Sequence, residues 1–412
     1  MKSDLDQILE DNNIDALWVT GPGFNNPVMV YLTGGGHLTA ADLILKRGQP
    51  PLLFHTAMER EEAARTGLNT RSYGSYPLKE LLEEAGGDYE QAMALRLAKM
   101  FTDAGVTRGR VAVYGHAEVG PVVGALPRLR DLLPEVTFVG FSRDPILMRA
   151  MMTKDKDEVE RIRQVGVKTT QVVDKVANYL TSRPVNSDEV LLREDGQPLT
   201  VGDVKAKINL WCAEAGLENP EPYIFAIGRD GAIPHSSGNP ADVIRLGSPI
   251  VFDIFPVEAG GGYFHDFTRT WCLGYAPSEA KHIYDQVLTV YRQIVSELEV
   301  NAPFRRYQER TCEMFEEMGH PTIASDPNTE NGYVHSLGHG VGLHIHEKPF
   351  CGANADAMDI LAPGSVVAIE PGLYYPGRGI GVRLENTFWV TPEGRFESLT
   401  DYPMDLVLPM KS

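Results

Sequence analysis

Five side chains able to ligate a metal, Asp253, Asp266, His339, Glu370 and Glu385, follow one another through the C-terminal third in the order Asp, Asp, His, Glu, Glu. Each lies in a stretch that reads as a β-strand or a glycine-rich turn. The stretches are Val251–Phe255, His265–Thr270, Gly338–Gly342, Ala368–Gly372 and Val382–Asn386. Four carboxylates and one imidazole suit two divalent ions, with one or two carboxylates bridging. Their charges cancel two M²⁺ and leave room for a shared hydroxide. One such carboxylate alone is ordinarily just solvated. Five in this order and context predict hydrolysis at a two-metal centre.

The elements that must position them follow from pattern. Ser248–Phe255 is an apolar strand, Ala259–Gly262 a turn and Tyr263–Leu273 a return strand, a hairpin with one aspartate on each arm. Ser365–Tyr375, the turn Pro376–Gly379 and Ile380–Thr391 repeat the plan with one glutamate on each arm. Two acidic hairpins facing each other would gather four carboxylates on rigid backbone. Residues two apart on a strand share a face, which puts Thr268 beside Asp266 and Arg383 beside Glu385, where each could orient a carboxylate.

Of eleven histidines, four fall within His335–His346, and His235 and His265 lie in neighbouring segments. The spacing of His335 and His339 is that of an H-E-x-x-H zinc helix. Position 336 is Ser, however, and Gly338, Gly340 and Gly342 argue against a helix. One histidine as ligand, with others as donors around a substrate, fits better.

A chain of 412 residues predicts two domains. The net charge of −18 disfavours nucleic acid and anionic membrane as partners. No apolar run approaches the ~18 residues of a membrane span, and the first residues lack a signal-peptide core. Cys212, Cys272, Cys312 and Cys351 form no C-x-x-C pair and read as reduced thiols in the cytoplasm.

The first third reads as an α/β domain. It has a short helix at Asp4–Glu10, strands at Ala16–Thr20, Val28–Leu32, Pro51–Phe54 and Val111–Tyr114, and a helix at Tyr89–Ala104. Gly34-Gly35-Gly36 is a turn, since no Gly-Lys-Ser/Thr follows. Asp155 and Glu158 form a capping-box pattern ahead of a helix with Val159, Ile162, Val165, Val172, Val173 and Val176 on one face. Residues 1–145 and 146–412 are therefore the expected domains. Leu191–Thr200 reads as an inserted loop before a helix at Val204–Ala215.

The ordered set of five segments resembles the pita-bread metallopeptidases that include prolidase, aminopeptidase P and methionine aminopeptidase. The resemblance runs from about Lys154 to the end. The first third resembles the creatinase-like N-terminal domain that prolidase and aminopeptidase P carry. An α+β fold is implied, with a C-terminal pita-bread catalytic domain after a smaller α/β domain. The resemblance also implies that Asp253 binds one metal, that Asp266 and Glu385 bridge, and that His339 and Glu370 complete the other site. Glu370 would handle the proton of the bridging water. His235, in Ile233–Ser237, matches a substrate-binding histidine, as do His335 and His346, and Arg383 matches the family's arginine. A homodimer is implied as well.

Two features depart from the family pattern. Asp253 and Asp266 are 13 apart, longer than the pattern leads one to expect, which places an enlarged turn at Val257–Gly262. His344 stands where an acidic residue is expected, and neither it nor His265 receives a role. The leading expectation is an exopeptidase cutting before proline, dipeptidase ahead of aminopeptidase, with Arg383 available for a dipeptide's carboxylate. Mn²⁺ is the first expectation, with Co²⁺, Fe²⁺ or Zn²⁺ as others. A creatinase-like hydrolase or a binding protein that has lost catalysis are the alternatives. Both sit poorly with a complete ligand set.

Overall fold

The computed structural model describes residues 4–353 and 355–411. The chain divides into two units, Met1–Met151 with Gly260–Gly262, and Met152–Ala259 with Tyr263–Ser412. The expected boundary at 145/146 lies six residues before this division, and Gly260–Gly262 group with the first unit.

In the first unit, apolar runs punctuated by Gly and Pro form a six-stranded mixed sheet. Its order is Asn69–Ser72, Leu52–His55, Ala41–Lys46, Ala16–Gly21, Gly109–Gly115, Val136–Val139. Trp18, Phe101 and Phe138 pack edge to face at its core, with centroids 5.4 to 6.3 Å apart. One expectation is corrected: Val28–Leu32 is not a strand but part of the helix Pro27–Thr33. The Asn26 side chain accepts from Met29 N–H, Pro27 presets the first turn, and Gly34 closes the helix in the left-handed region at φ 82°. A five-residue apolar run has no usable period, so these end signals decide.

The second unit begins with the capping box that the sequence marks. Asp155 Oδ1 accepts from the N–H groups of Asp157 and Glu158, and Glu158 Oε2 accepts from Asp155 N–H at 2.8 Å. The helix Lys156–Thr181 follows. A second box, Thr200 with Asp203, starts the next helix at Val201, ahead of the expected Val204. Leu191–Thr200 is a folded-back turn, with Leu199 N–H donating to Leu191 O at 2.7 Å.

These two helices cover a four-stranded sheet ordered Val407–Leu408, Phe267–Leu273, Ile250–Ile254, Ile224–Ile227, and Val165, Val173, Ile208, Phe252 and Trp271 share one core. A second core joins helices Ser278–Glu297 and Arg305–Glu317 to a five-stranded sheet. That sheet is ordered Glu347–Phe350, Gly338–Gly340, Val366–Ile369, Asn386–Val390, Phe396–Ser398. Among the described residues no helix is long and apolar enough to cross a membrane.

Gly166 lies mid-helix against the fully buried His265, whose titration burial lowers to about 3, so the ring is neutral. A Cβ on Gly166 would stand 2.6 Å from His265 Cε1. Ala normally gains ~0.5–1 kcal/mol over Gly in a helix, but overpacking a filled core costs about 1–3 kcal/mol. The clash wins. Gly166→Ala should lower the melting temperature, and an unchanged or raised value in a thermal scan would contradict the packing.

Candidate metal centre

The first acidic hairpin forms with shorter arms than expected, and Val257–Glu258 in its connection pairs with Leu217–Glu218 instead. Ile250–Ile254 pairs antiparallel with Phe267–Leu273, Asp253 opposite Thr268, and Asp266 immediately precedes the return strand. The second is one long hairpin that changes sheet halfway. Val366–Ile369 pairs with Asn386–Val390, and Gly372–Tyr375 pairs separately with Ile380–Arg383. Glu370 and Glu385 occupy the two breaks, where Pro371 has no N–H to continue a ladder. There the backbone is held from outside: Glu370 N–H donates to Leu337 O at 2.7 Å and Glu385 N–H to Thr268 O at 3.1 Å. His339 sits mid-strand in Gly338–Gly340.

These elements bring Asp253, Asp266, His339 and Glu370 to the wall of one cavity of about 470 Å³, and Glu385 is buried next to Asp266 and His339. Asp266, His339 and Glu385 offer donor atoms within 4.8 Å of one another. His339 Nε2 lies 3.4 Å from Asp266 Oδ2 and 3.6 Å from Glu370 Oε1. Asp253 and Glu370 stand outside that trio, and Asp253 Oδ2 accepts from Arg383 Nη2 at 2.5 Å.

The donor set fits metal on its own chemistry. Burial, reinforced by their neighbours' negative charge, pushes the carboxyls of Asp266, Glu370 and Glu385 well above the usual range. Asp253 Oδ1 and Glu385 Oε1 are buried and accept no hydrogen bond from the described residues. His339 Nδ1–H donates to Gly340 O at 3.1 Å, which fixes the tautomer and turns the Nε2 lone pair towards Asp266 and Glu370. Buried carboxyls crowded together with open lone pairs are a donor set that a bound cation would neutralise.

Thr268, expected beside Asp266, instead donates its hydroxyl to Glu385 Oε2 at 2.7 Å. Arg383, expected beside Glu385, braces Asp253. It also donates from Nη1 to Tyr374 Oη at 2.7 Å and to Pro234 O at 3.3 Å, and only 3% of its side chain is exposed. Its guanidinium has little left for a substrate carboxylate. The fully buried Arg269 donates to the carbonyls of Thr268 and Glu385 at 2.9 and 2.7 Å and locks the crossing of the hairpins.

Of the expected histidines, His235 and His346 are exposed and His335 half-buried, and all three line the cavity. His346 rests edge-on against His339, centroids 4.3 Å apart, and although its ring opens to the cavity, the protein packed around it, then the nearby His339, lower its titration to about 4. His335 has both ring nitrogens engaged. Nδ1–H donates to Ser336 O at 2.7 Å, and Nε2 accepts from Tyr374 Oη–H at 2.8 Å. Burial, then Arg383, brings it down to about 3. It therefore orients Tyr374, and through it Arg383.

Sequence reasoning missed Tyr374 and Arg269. Alternation could have found Tyr374, which is two residues along the strand from Gly372, the partner of Arg383. Phe255, Ile345, Phe350 and Cys351 complete the apolar wall.

Residues 160–392, more than half of the chain, match metallopeptidase family M24, and the chain belongs to that family. It is 29% identical over 301 residues, 72% of each chain, to a probable dipeptidase PepE from Mycobacterium tuberculosis. It is 28% identical over 255 residues to a Xaa-Pro dipeptidase from Pyrococcus furiosus, covering 61% of this chain and 64% of that one. The structure of an X-Pro aminopeptidase from Thermotoga maritima superposes with a TM-score of 0.74 at 21% identity, over 95% of this chain and 97% of that one. The expected fold, a pita-bread domain following a smaller α/β domain, is the one observed, and the chain is a metal-dependent hydrolase.

Proposed function

We propose that this protein is an exopeptidase that hydrolyses the peptide bond preceding proline, with two divalent ions held by Asp253, Asp266, His339, Glu370 and Glu385. One observation carries the reading. Asp253, Asp266, His339 and Glu370 line one cavity, Glu385 is buried with its donor atom within reach of Asp266 and His339, and Asp253 and Glu385 each keep a buried oxygen with an open lone pair. Ions in such a site polarise a carbonyl and make a water nucleophilic at neutral pH. Hard oxygen donors with one imidazole favour Mn²⁺, with Co²⁺, Fe²⁺ or Zn²⁺ also accommodated.

The chain's own residues do the rest. Asp266 and Glu385, whose donor atoms lie within 4.8 Å of that of His339, would help to hold the ions. Glu370 accepts the water's proton and delivers it to the leaving nitrogen. His346 and His235, exposed in the cavity wall, donate to the oxygen that becomes tetrahedral and position the substrate. His335, Tyr374 and Arg383 hold Asp253 and the wall in place.

A proline nitrogen in the scissile bond has no N–H, so an enzyme that must grip that hydrogen fails on it. Nothing in this arrangement needs it. The names of the relatives support a dipeptidase as the first reading. An aminopeptidase acting on longer peptides is the second. Arg383 favours it, being the only Lys or Arg among the described cavity-lining residues and already engaged. A homodimer in the cytoplasm completes the proposal. Four buried free cysteines support a reducing compartment.

One assay panel tests this: Xaa-Pro, Xaa-Pro-Xaa, Xaa-Ala and creatine, with and without Mn²⁺. Xaa-Pro should turn over faster than Xaa-Ala. Equal cleavage at saturating metal overturns the proline specificity, and turnover of the tripeptide without the dipeptide moves the reading to an aminopeptidase.

A further inference from the structure

Behind the wall that carries His346 lies a charge pair with no part in the steps above. Lys154 and Glu347 form an ion pair whose side chains are 1% and 0% exposed. Glu347 opens the strand Glu347–Phe350 and lies opposite Gly340, next to His339 on the neighbouring strand. Its Oε2 accepts from His344 N–H at 3.3 Å. The turn between the two strands is closed on itself, with Gly342 N–H donating to His344 O at 3.1 Å. Gly342 leaves room for the carboxylate and for nothing else, since a Cβ there would stand 2.6 Å from Glu347 Cδ. Lys154 is fixed in turn by its own N–H, which donates to Gly364 O at 2.7 Å.

A buried ion pair contributes little net stability compared with apolar residues of equal volume, whereas removing one partner is severe. What the pair supplies here is a fixed turn. We infer that Lys154 and Glu347 are positioning residues: they hold the His344–His346 turn so that the His346 ring stands edge-on to His339 in the cavity wall. This rests on the proposed role of His346. Displacing a reacting group by about 1 Å costs on the order of a hundredfold in rate, so a released turn should show in turnover rather than in substrate affinity.

The test is a double-mutant cycle on the full-length, Mn²⁺-loaded protein, using whichever peptide the wild type cleaves fastest. Lys154→Met with Glu347→Gln removes both charges without leaving either unpaired. It should lower kcat on the order of a hundredfold, with KM little changed and bound metal and melting temperature retained. In a His346→Ala background the same pair should cost almost nothing further, because the ring it positions is gone.

Wild-type kcat in the Lys154/Glu347 variant overturns the inference alone, as does a loss that simply adds to that of His346→Ala. Wild-type kcat in His346→Ala by itself overturns the role of that histidine, and the inference with it. Should the paired variant not fold, Gly342→Ala, which displaces the Glu347 carboxylate from the other side, carries the same expectations and the same refutations.

Discussion

Stripping the divalent ions with a chelator should abolish peptide hydrolysis, and it should leave a protein whose stability deteriorates as the pH rises. Without ions, Asp266, Glu370 and Glu385 titrate well above the usual range because they are buried and repel one another. In the unfolded chain they titrate near ~4. A carboxyl raised by folding contributes stability that is fully present below the unfolded value and lost as the pH climbs through the folded value. The ion-free protein therefore weakens from about pH 4 upward. Bound ions cancel the same charges.

The gap in melting temperature between metal-loaded and chelated protein should accordingly widen from about pH 5 to about pH 8. Comparing the two forms at each pH removes the contribution of carboxylates elsewhere, such as Asp103 and Asp203, whose titration is lowered and whose effect has the opposite sign. Activity restored by Mn²⁺ together with a widening gap is the expected pair of results. Full activity in metal-free protein, or a gap independent of pH, would refute the centre.

The ligand segments were legible because each of the five lies in or beside a strand whose local signals are strong. The capping box at Asp155 was legible for the same reason. What stayed hidden was decided elsewhere in the chain. The switch of sheet at Glu370 and Glu385 is set by partners at Leu337 and Thr268, which no window around the glutamates contains. Arg383 shares a strand face with Glu385 by alternation, yet its guanidinium reaches across to Asp253, 130 positions away. The Lys154–Glu347 pair spans 193 positions. Val28–Leu32 failed differently. There the deciding signals, Asn26, Pro27 and Gly34, lie at the ends of the segment and not in the apolar run itself.

Replacing His346 with Ala should lower kcat on the order of a hundredfold or more while both ions stay bound, and His235→Ala should act in the same direction. Removing one preorganised donor to a developing oxyanion costs about 10²–10³ in turnover. Both rings are exposed in the cavity wall, and neither belongs to the trio of converging donors. Metal content therefore separates this loss from that of a ligand variant. His335 supplies the contrast. Its nitrogens are committed to Ser336 and Tyr374, so His335→Ala should act through the Tyr374–Arg383–Asp253 chain and disturb metal retention along with rate. Measuring kcat and bound metal on the three variants decides the assignment. Near-normal kcat in both His346→Ala and His235→Ala, with metals bound, would mean that the oxyanion is stabilised by other groups.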